Sequence, residues 1–147
     1  MDIRTFEPRD ESAVVALWGR CGLLRPWNDP LKDIQRKLKV RPDLFLVGES
    51  EGAVIATAMA GYDGHRGWIY YLAVSPDHRR KGLGRQIMQA AEQRLRDAGC
   101  PKINLQVRSC NLEVIDFYRS IGFELDDVVS LGKRLELDIP PTKDGAD

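Results

Sequence analysis

The strongest constraint on the fold is a nearly unbroken apolar run over residues 68–74, which reads Trp-Ile-Tyr-Tyr-Leu-Ala-Val. Such a run is typical of a central strand that is covered on both faces. An amphipathic segment from about Gly82 to Ala98 predicts a long helix, and alternating apolar residues over 102–107 predict a strand after it. A strand, a helix and a second strand in this order favour a right-handed crossover, so we expect the two strands to be parallel.

The rest of the chain supplies further helices and strands around this unit. The pattern predicts a strand over 3–6, amphipathic helices over 10–22 and 29–38, a hairpin over 44–60, a short helix over 114–122 and two more strands within 123–137. We therefore predict an α/β fold of the α+β type, with a mixed, mostly antiparallel sheet of about seven strands flanked by about four helices. Residues 1–138 are expected to form a single domain, and residues 139–147 a flexible C-terminal tail.

Charge and composition limit the classes of partner. The 22 basic and 22 acidic residues cancel, so no global positive field is present to attract nucleic acid. The sequence contains neither a secretory leader pattern nor an apolar run long enough to span a bilayer. Three cysteines without CxxC spacing favour reduced thiols, and we expect a cytoplasmic protein without a metal centre.

A basic, glycine-containing segment stands where the long helix begins. A helix N-terminus presents unpaired backbone N–H groups, and Gly82 and Gly84 would let a phosphate approach the backbone closely. The basic residues beside them, Arg79, Arg80, Lys81 and Arg85, are unfavourable at this end of a helix unless an anion neutralises them. The segment predicts a pyrophosphate site; the alternative is a solvated basic turn that only starts the helix.

The segment Arg79-Arg80-Lys81-Gly82-Leu83-Gly84 resembles the first motif of the GNAT superfamily of N-acetyltransferases, and residues 72–76 resemble the strand end that precedes it. Residues 111–118, followed by Ile121-Gly122-Phe123, resemble the second motif of the family. Three further segments, residues 24–30, 61–67 and 131–135, resemble the YpeA-type acetyltransferases. The resemblance implies acetyl-CoA as co-substrate and these cofactor-binding residues: Leu72, Ala73, Val74, Arg79, Arg80, Lys81, Gly82, Leu83, Gly84, Arg85, Asn111, Phe117 and Tyr118.

The implied reaction transfers an acetyl group to a primary amine of a small molecule or peptide. Tyr118 is the candidate acid that donates a proton to the departing thiolate; the alternative is that it only fills the apolar face of its helix. The general base is harder to find. Gln106 stands where the ribosomal-protein N-terminal acetyltransferases that the chain resembles have a glutamate, and an amide cannot serve as a base.

Aromatic and polar residues outside these motifs supply candidates for the acceptor site. They are Trp27, Asn28, Asp29, Tyr62, Asp63, His65 and Tyr70. Asp29, Asp63 and His65 are also the candidates for the general base, although each could instead make only local hydrogen bonds. In that case water could carry the proton away from the amine. Strand alternation would put Tyr70 and Tyr71 on opposite faces of the sheet, so we expect at most one of them to face the acceptor.

The sequence leaves three hypotheses for the function of the chain. The first is the N-acetyltransferase, and the second is a catalytically idle module that binds or senses acetyl-CoA. Nucleic-acid binding through the basic segment needs a wider basic face than this neutral chain offers. A late strand over residues 131–137 could pair across a homodimer at an exposed edge.

Overall fold

The sheet of the computed structural model, which describes residues 1–139, has five strands in the order β1-β2-β3-β4-β5. The strands are β1 (Asp2–Thr5), β2 (Phe45–Ser50), β3 (Ala53–Tyr62), β4 (Gly67–Val74) and β5 (Ile103–Asn104). The α-helices are α1 (Glu11–Arg20), α2 (Pro30–Lys37), α3 (Leu83–Asp97) and α4 (Leu112–Ser120). Short 3-10 turns lie at Pro8–Asp10, Pro42–Leu44 and Pro76–His78.

The topology confirms the mixed α+β prediction. Strands β1 to β4 pair antiparallel, and α3 crosses from β4 to β5, which pair in parallel through Gly67 with Ile103 and Trp68 with Asn104. Each face of the sheet carries its own core. On the α3-side core, Ile87, Met88 and Leu95 pack on β2, β3 and β4. On the α1/α2-side core, Trp18 and Ile34 pack on the opposite face of the same strands.

The expectation of about seven strands is wrong, because the described residues form five. Residues 123–139 contain no strand, and most of their large apolar side chains, such as Val129 and Leu131, are exposed. Strand β5 is only two residues long and offers a very short edge for pairing, while Asp126-Asp127 and Gly132 interrupt the apolar pattern. The strand over 131–137 that we expected at a dimer edge is therefore not formed.

The C-terminal tail and the prediction that no segment spans a membrane remain to be compared with the structure. The proposed tail, residues 139–147, lies outside the described residues except for Ile139. Within residues 1–139, no helix has both the length and the apolar character that a bilayer crossing needs.

Candidate active site

The start of α3 has the geometry of an anion site. Gly82 is the N-cap residue with φ +74°, and Arg80 two residues earlier also has a positive φ of +64°. The first helical bond runs from the Gln86 N–H to the Gly82 carbonyl, so the N–H groups of residues 83–85 have no acceptor within the helix. The first turn holds no acidic residue. Four exposed basic residues flank these amides along the chain: Arg79, Arg80, Lys81 and Arg85.

Gly84 brings the two sequence motifs into contact. A Cβ added there would lie 3.2 Å from Cζ of Phe117 and 3.7 Å from Cγ2 of Val74. A side chain at this position would therefore crowd the Phe117 ring of α4, which would have to shift by a few tenths of an ångström, while Val74 would lie at an ordinary contact distance. Arg85 adds a second link, since its guanidinium donates to the Ser120 carbonyl at 3.4 Å.

Strand β4 leaves β5 soon after the two strands meet. Their pairing stops at Trp68, so residues 70–74 have a strand partner only on the β3 side. The backbone on the other side of this stretch has no strand partner and reaches the α3 N-terminus, where Val74 lies next to Gly84. The Val74 carbonyl accepts from the Cys21 thiol at 3.3 Å. Leu72, Ala73 and Val74 thus lie beside the basic segment.

A separate cavity of about 1670 Å³ lies beyond β5. Residues 101–109, α4 and residues 121–130 supply most of its walls, and neither residues 72–74 nor residues 79–85 line it. Tyr118 belongs to that wall and also to the α3-side core, against which Leu72 and Val74 pack. This cavity is therefore distinct from the basic segment.

Tyr118 is buried, with 8% of its surface exposed. Burial raises the pKa of its phenol to about 12, so the hydroxyl keeps its proton at neutral pH. Its ring makes edge contacts with Phe117 and Phe123, and within residues 1–139 its hydroxyl makes no hydrogen bond. Asn111 occupies the N-cap position of α4, but its exposed side chain does not cap the helix and is free for a ligand.

The middle of β4 contains a β-bulge that the sequence pattern did not reveal. Thr57 pairs with Ala73 and Met59 with Tyr70, so one residue of β3, Ala58, opposes two residues of β4. The extra residue is Tyr71, which has a left-handed φ of +51°. A non-glycine residue in this region costs about 1–2 kcal/mol, so the surroundings must hold it there.

The bulge contradicts our expectation that Tyr70 and Tyr71 lie on opposite faces. Tyr70 lies across from Met59, which belongs to the α1/α2-side core, and Tyr71 packs on that same core. Leu72 returns to the α3 side. The expectation failed because a bulge adds a residue to the strand and so resets the alternation of faces.

Contacts from three other elements fix Tyr71. Its ring stacks on Trp18 with centroids 3.7 Å apart, and its hydroxyl donates to Asp33 Oδ2 at 2.6 Å. Its carbonyl accepts from Thr57 Oγ1 at 2.8 Å, and Thr57 Oγ1 accepts from Trp18 Nε1 at 2.9 Å. Burial, followed by the bond to Asp33, raises the pKa of Tyr71 well above its usual range.

The loop between α1 and α2 holds three acceptor-site candidates. Trp27 is 51% exposed and lies 5.7 Å from the Arg108 guanidinium, in a cation–π arrangement. The Asn28 side-chain oxygen accepts from Arg134 at 2.7 Å. Asp29 caps α2, its Oδ1 accepting from the Leu31 N–H at 2.9 Å, so one oxygen of its carboxylate is already occupied.

Three other candidates lie far from the basic segment. The Tyr62 hydroxyl lies 3.3 Å from the Gly99 carbonyl, which follows the C-terminus of α3, whereas the basic segment lies at its N-terminus. The helix between them is about 22 Å long. Asp63 accepts from the N–H groups of His65 and Arg66, and these bonds hold its pKa below the usual value. Tyr62, Asp63 and His65 thus form a turn at the other end of β4.

Tyr70 lies between these two regions. It is 49% exposed, and burial of the remainder, followed by the nearby charge of Asp63, raises the pKa of its phenol. It faces the same side of the sheet as Tyr71 and lies directly before the bulge. Within residues 1–139, no cluster of His, Cys, Asp or Glu side chains has the arrangement of a metal site.

Comparisons with known proteins agree with this geometry. The model of the acetyltransferase (GNAT) family matches residues 11–123. An acetyltransferase from Pectobacterium atrosepticum is 51% identical over 135 residues, which are 92% of this chain and 96% of the relative.

Two solved structures share the fold. One is AAC(6')-Iy in complex with the bisubstrate analogue CoA-S-monomethyl-acetylneamine, with a TM-score of 0.74, 20% identity and coverage of 90% of this chain and 97% of that one. The other is a ribosomal-protein alanine N-acetyltransferase from Escherichia coli, with a TM-score of 0.72, 24% identity and coverage of 98% of this chain and 86% of that one.

Proposed function

The chain belongs to the acetyltransferase (GNAT) family, and from this premise we propose that it transfers the acetyl group of acetyl-CoA to a primary amine of a small molecule or peptide. The observation that carries the proposal is the N-terminus of α3, where free amides and four basic residues stand beside the unpaired end of β4. We treat residues 1–138 as one catalytic domain.

The cofactor would bind across the two motifs. The pyrophosphate fits the amides of residues 83–85, because the positive end of the helix dipole and the basic side chains favour negative charge there. The pantetheine arm would then run along residues 72–74, whose backbone has no strand partner on the β5 side. In this arrangement the thioester at the end of the pantetheine arm would lie near the bulge at Tyr71, or farther along β4 from the start of α3.

The reaction would proceed by direct attack while both substrates are bound. The amine nitrogen forms a bond to the thioester carbonyl carbon, the carbon–sulfur bond breaks, and the proton lost by nitrogen is balanced by the proton that the thiolate gains. A bisubstrate analogue that joins CoA to an acceptor binds AAC(6')-Iy, which supports simultaneous binding in a protein of this fold.

The buried setting of Tyr118 refines its role as the acid. Its pKa of about 12 lies above that of a thiol, about 8.5, so complete proton transfer to the thiolate would be unfavourable. We propose that Tyr118 donates a hydrogen bond to the sulfur as charge develops, while water carries the proton from the amine to the thiolate. A neutral phenol that has no other hydrogen-bond partner within residues 1–139 suits that role.

One observation favours the second candidate, an acetyl-CoA-binding module without activity. Asp29 caps α2, Asp63 holds a turn at the other end of β4, and Asp33 accepts from Tyr71, so each of these carboxylates already has a structural partner. An acceptor with an α-amino group would still react, because its pKa near 8 leaves a useful neutral fraction without a strong base. We therefore place α-amino acceptors first in the screen.

The test measures acetyl-CoA binding by calorimetry, then thiol release in the same sample with simple amines, peptides with a free N-terminus and lysine peptides. Binding with release for one acceptor class supports the enzyme and identifies its substrate class. Binding without release for any class would favour the inactive module, and absence of binding would refute the cofactor site. We also propose a cytoplasmic location, where the free thiols of Cys21, Cys100 and Cys110 stay reduced.

A further inference from the structure

Thr57 is a polar residue within the apolar run of β3, and it is fully buried. A buried hydroxyl costs free energy unless both its donor and its acceptor functions find partners. Thr57 finds both, because it lies between the Trp18 indole at 2.9 Å and the Tyr71 carbonyl at 2.8 Å.

The direction of these two bonds is fixed by chemistry. An indole N–H can only donate, so the Thr57 oxygen must accept from Trp18. The single hydroxyl proton is then left for the Tyr71 carbonyl, which can only accept. Trp18 therefore orients the hydroxyl, and the hydroxyl holds the carbonyl of the one residue of β4 with a left-handed φ.

We propose that Thr57 is a positioning residue for acetyl transfer: its hydroxyl holds the Tyr71 carbonyl and so keeps β4 in the bulged form that leaves residues 72–74 free for the cofactor arm. This inference rests on the proposed function. A bulge bends and twists its strand. Strand β4 pairs with β5 before the bulge and not after it, so the bulge lies where β4 departs from its neighbour.

Without the hydroxyl, the bulge loses its side-chain hydrogen bond from β3. The left-handed φ of Tyr71 is unfavourable by itself, and the Tyr71 carbonyl would lose the hydroxyl from which it accepts. The ring stacking on Trp18 and the bond to Asp33 fix the side chain of Tyr71 but do not hold its carbonyl. We therefore expect residues 71–74 to shift while the phosphate-binding start of α3 stays in place.

The test compares Thr57→Val, which keeps the β-branched shape and removes the hydroxyl, with Thr57→Ser, which keeps the hydroxyl. Val47→Ala is the matched control. Val47 pairs directly with Thr57 in the sheet and is fully buried, but its side chain cannot hydrogen-bond to the Tyr71 carbonyl. The ligands are acetyl-CoA and 3'-phospho-ADP, which carries the pyrophosphate but lacks the pantetheine arm. Calorimetry gives both dissociation constants for each variant.

Thr57→Val should weaken acetyl-CoA binding by about tenfold, as expected for the loss of about one well-placed hydrogen bond, and leave 3'-phospho-ADP binding unchanged. Thr57→Ser should restore acetyl-CoA affinity to within about threefold, since about 0.7 kcal/mol corresponds to that factor. Val47→Ala should lower the melting temperature without changing either affinity. Should Thr57→Val fail to fold, Thr57→Ala and Thr57→Ser give the same comparison, since they differ by one hydroxyl.

Equal weakening of both ligands, unchanged acetyl-CoA affinity in Thr57→Val, or weakening by Val47→Ala would overturn the positioning role. A wild-type protein that binds 3'-phospho-ADP but shows no gain from the pantetheine arm would also overturn it. A wild-type protein that binds neither ligand would instead refute the cofactor site itself, so the two failures are distinguishable.

Discussion

Helix α3 carries the same residue type at its two ends in opposite electrostatic settings. Arg85 lies in the first turn, where the helix dipole is positive, and Arg96 lies in the last turn, where it is negative. Both side chains are exposed. A charge of the wrong or the right sign at a helix end changes stability by about 0.3–1 kcal/mol at low ionic strength, so Arg85 should destabilise the ligand-free protein and Arg96 should stabilise it.

The variants Arg85→Gln and Arg96→Gln should therefore shift the free energy of unfolding in opposite directions. Arg85 also donates a long bond of 3.4 Å to the Ser120 carbonyl, whose loss offsets less than about 0.5 kcal/mol of the gain. We expect the two variants to differ by about 0.5–1.5 kcal/mol in urea unfolding at low salt, or about 1–5 °C in Tm. In about 1 M salt, where the Debye length is about 3 Å, the difference should largely disappear.

The affinity for acetyl-CoA should also distinguish the two variants, and here Arg85→Gln is the one that loses. Arg85→Gln should weaken acetyl-CoA by about fivefold to tenfold, corresponding to about 1–1.4 kcal/mol, whereas Arg96→Gln should leave the affinity unchanged. If an anion binds at the start of α3, Arg85 should lower the stability of the ligand-free protein and raise its affinity for acetyl-CoA. The reasoning would be refuted if Arg85→Gln destabilised the ligand-free protein as much as Arg96→Gln, or if it bound acetyl-CoA as tightly as the wild type.

Three further predictions concern single residues. Tyr118→Phe should lower kcat by about 10²-fold or more, as for the loss of one hydrogen-bond donor to developing charge. The dissociation constant of acetyl-CoA and the melting temperature should change little, because the Tyr118 hydroxyl makes no hydrogen bond within residues 1–139, and unchanged turnover would exclude its role as a donor to the sulfur. Gly82→Ala should destabilise the protein by about 1 kcal/mol in urea unfolding, because the residue has φ +74° although an added Cβ meets nothing within 4 Å; a stabilised variant would contradict this. The hydrogen bond from Arg4 holds the pKa of Asp10 below its usual value, so this carboxylate contributes stability above about pH 4 that is lost as the pH falls through its folded value. Asp10→Asn should therefore unfold more easily than the wild type at pH 7, and the difference should shrink in acid; a difference that stayed constant down to pH 2 would disprove the linkage.

The unit of β4, α3 and β5 could be predicted because its signals are local. The apolar run over residues 68–74, the glycines at 82 and 84 and the period of the long helix each specify conformation within a few residues. The same reasoning missed that Gly84 is needed for contact with Phe117, because that contact joins residues that lie far apart in sequence. Motif spacing indicated that both residues matter, but not that they touch.

The strands expected within 123–137 failed for a related reason. An alternating or apolar pattern indicates that a segment is suited to a β-sheet, but it does not indicate whether a free strand edge is present for it to pair with. Strand β5 is two residues long, and the segment after α4 contacts the residue just before it through the ion pair of Lys102 with Asp126. The pairing of β5 with β4 stops at Trp68, shortly before the bulge at Tyr71.

The bulge itself was beyond local reasoning. Nothing in the run Tyr-Tyr-Leu predicts a positive φ, since a tyrosine is intrinsically unfavourable there. Its support comes from Trp18 on α1, Asp33 on α2 and Thr57 on β3, three residues that meet only in the folded chain. The one local sign was Thr57, a polar residue in a strand that otherwise reads as fully buried.

This arrangement separates the proposed cofactor end of the site from the proposed acceptor end. The basic segment and Gly84 depend on α3 and α4, whereas Trp27 and Asn28 are held through Arg108 and Arg134, which lie after β5 and near the end of the described chain. Strand β4 links the two ends, with Tyr70 and Tyr71 facing the α1/α2 side and Leu72 facing α3. Substitutions in the loop of residues 23–29 should therefore change the KM for the amine without changing that for acetyl-CoA, whereas a change that removes the bulge should affect both.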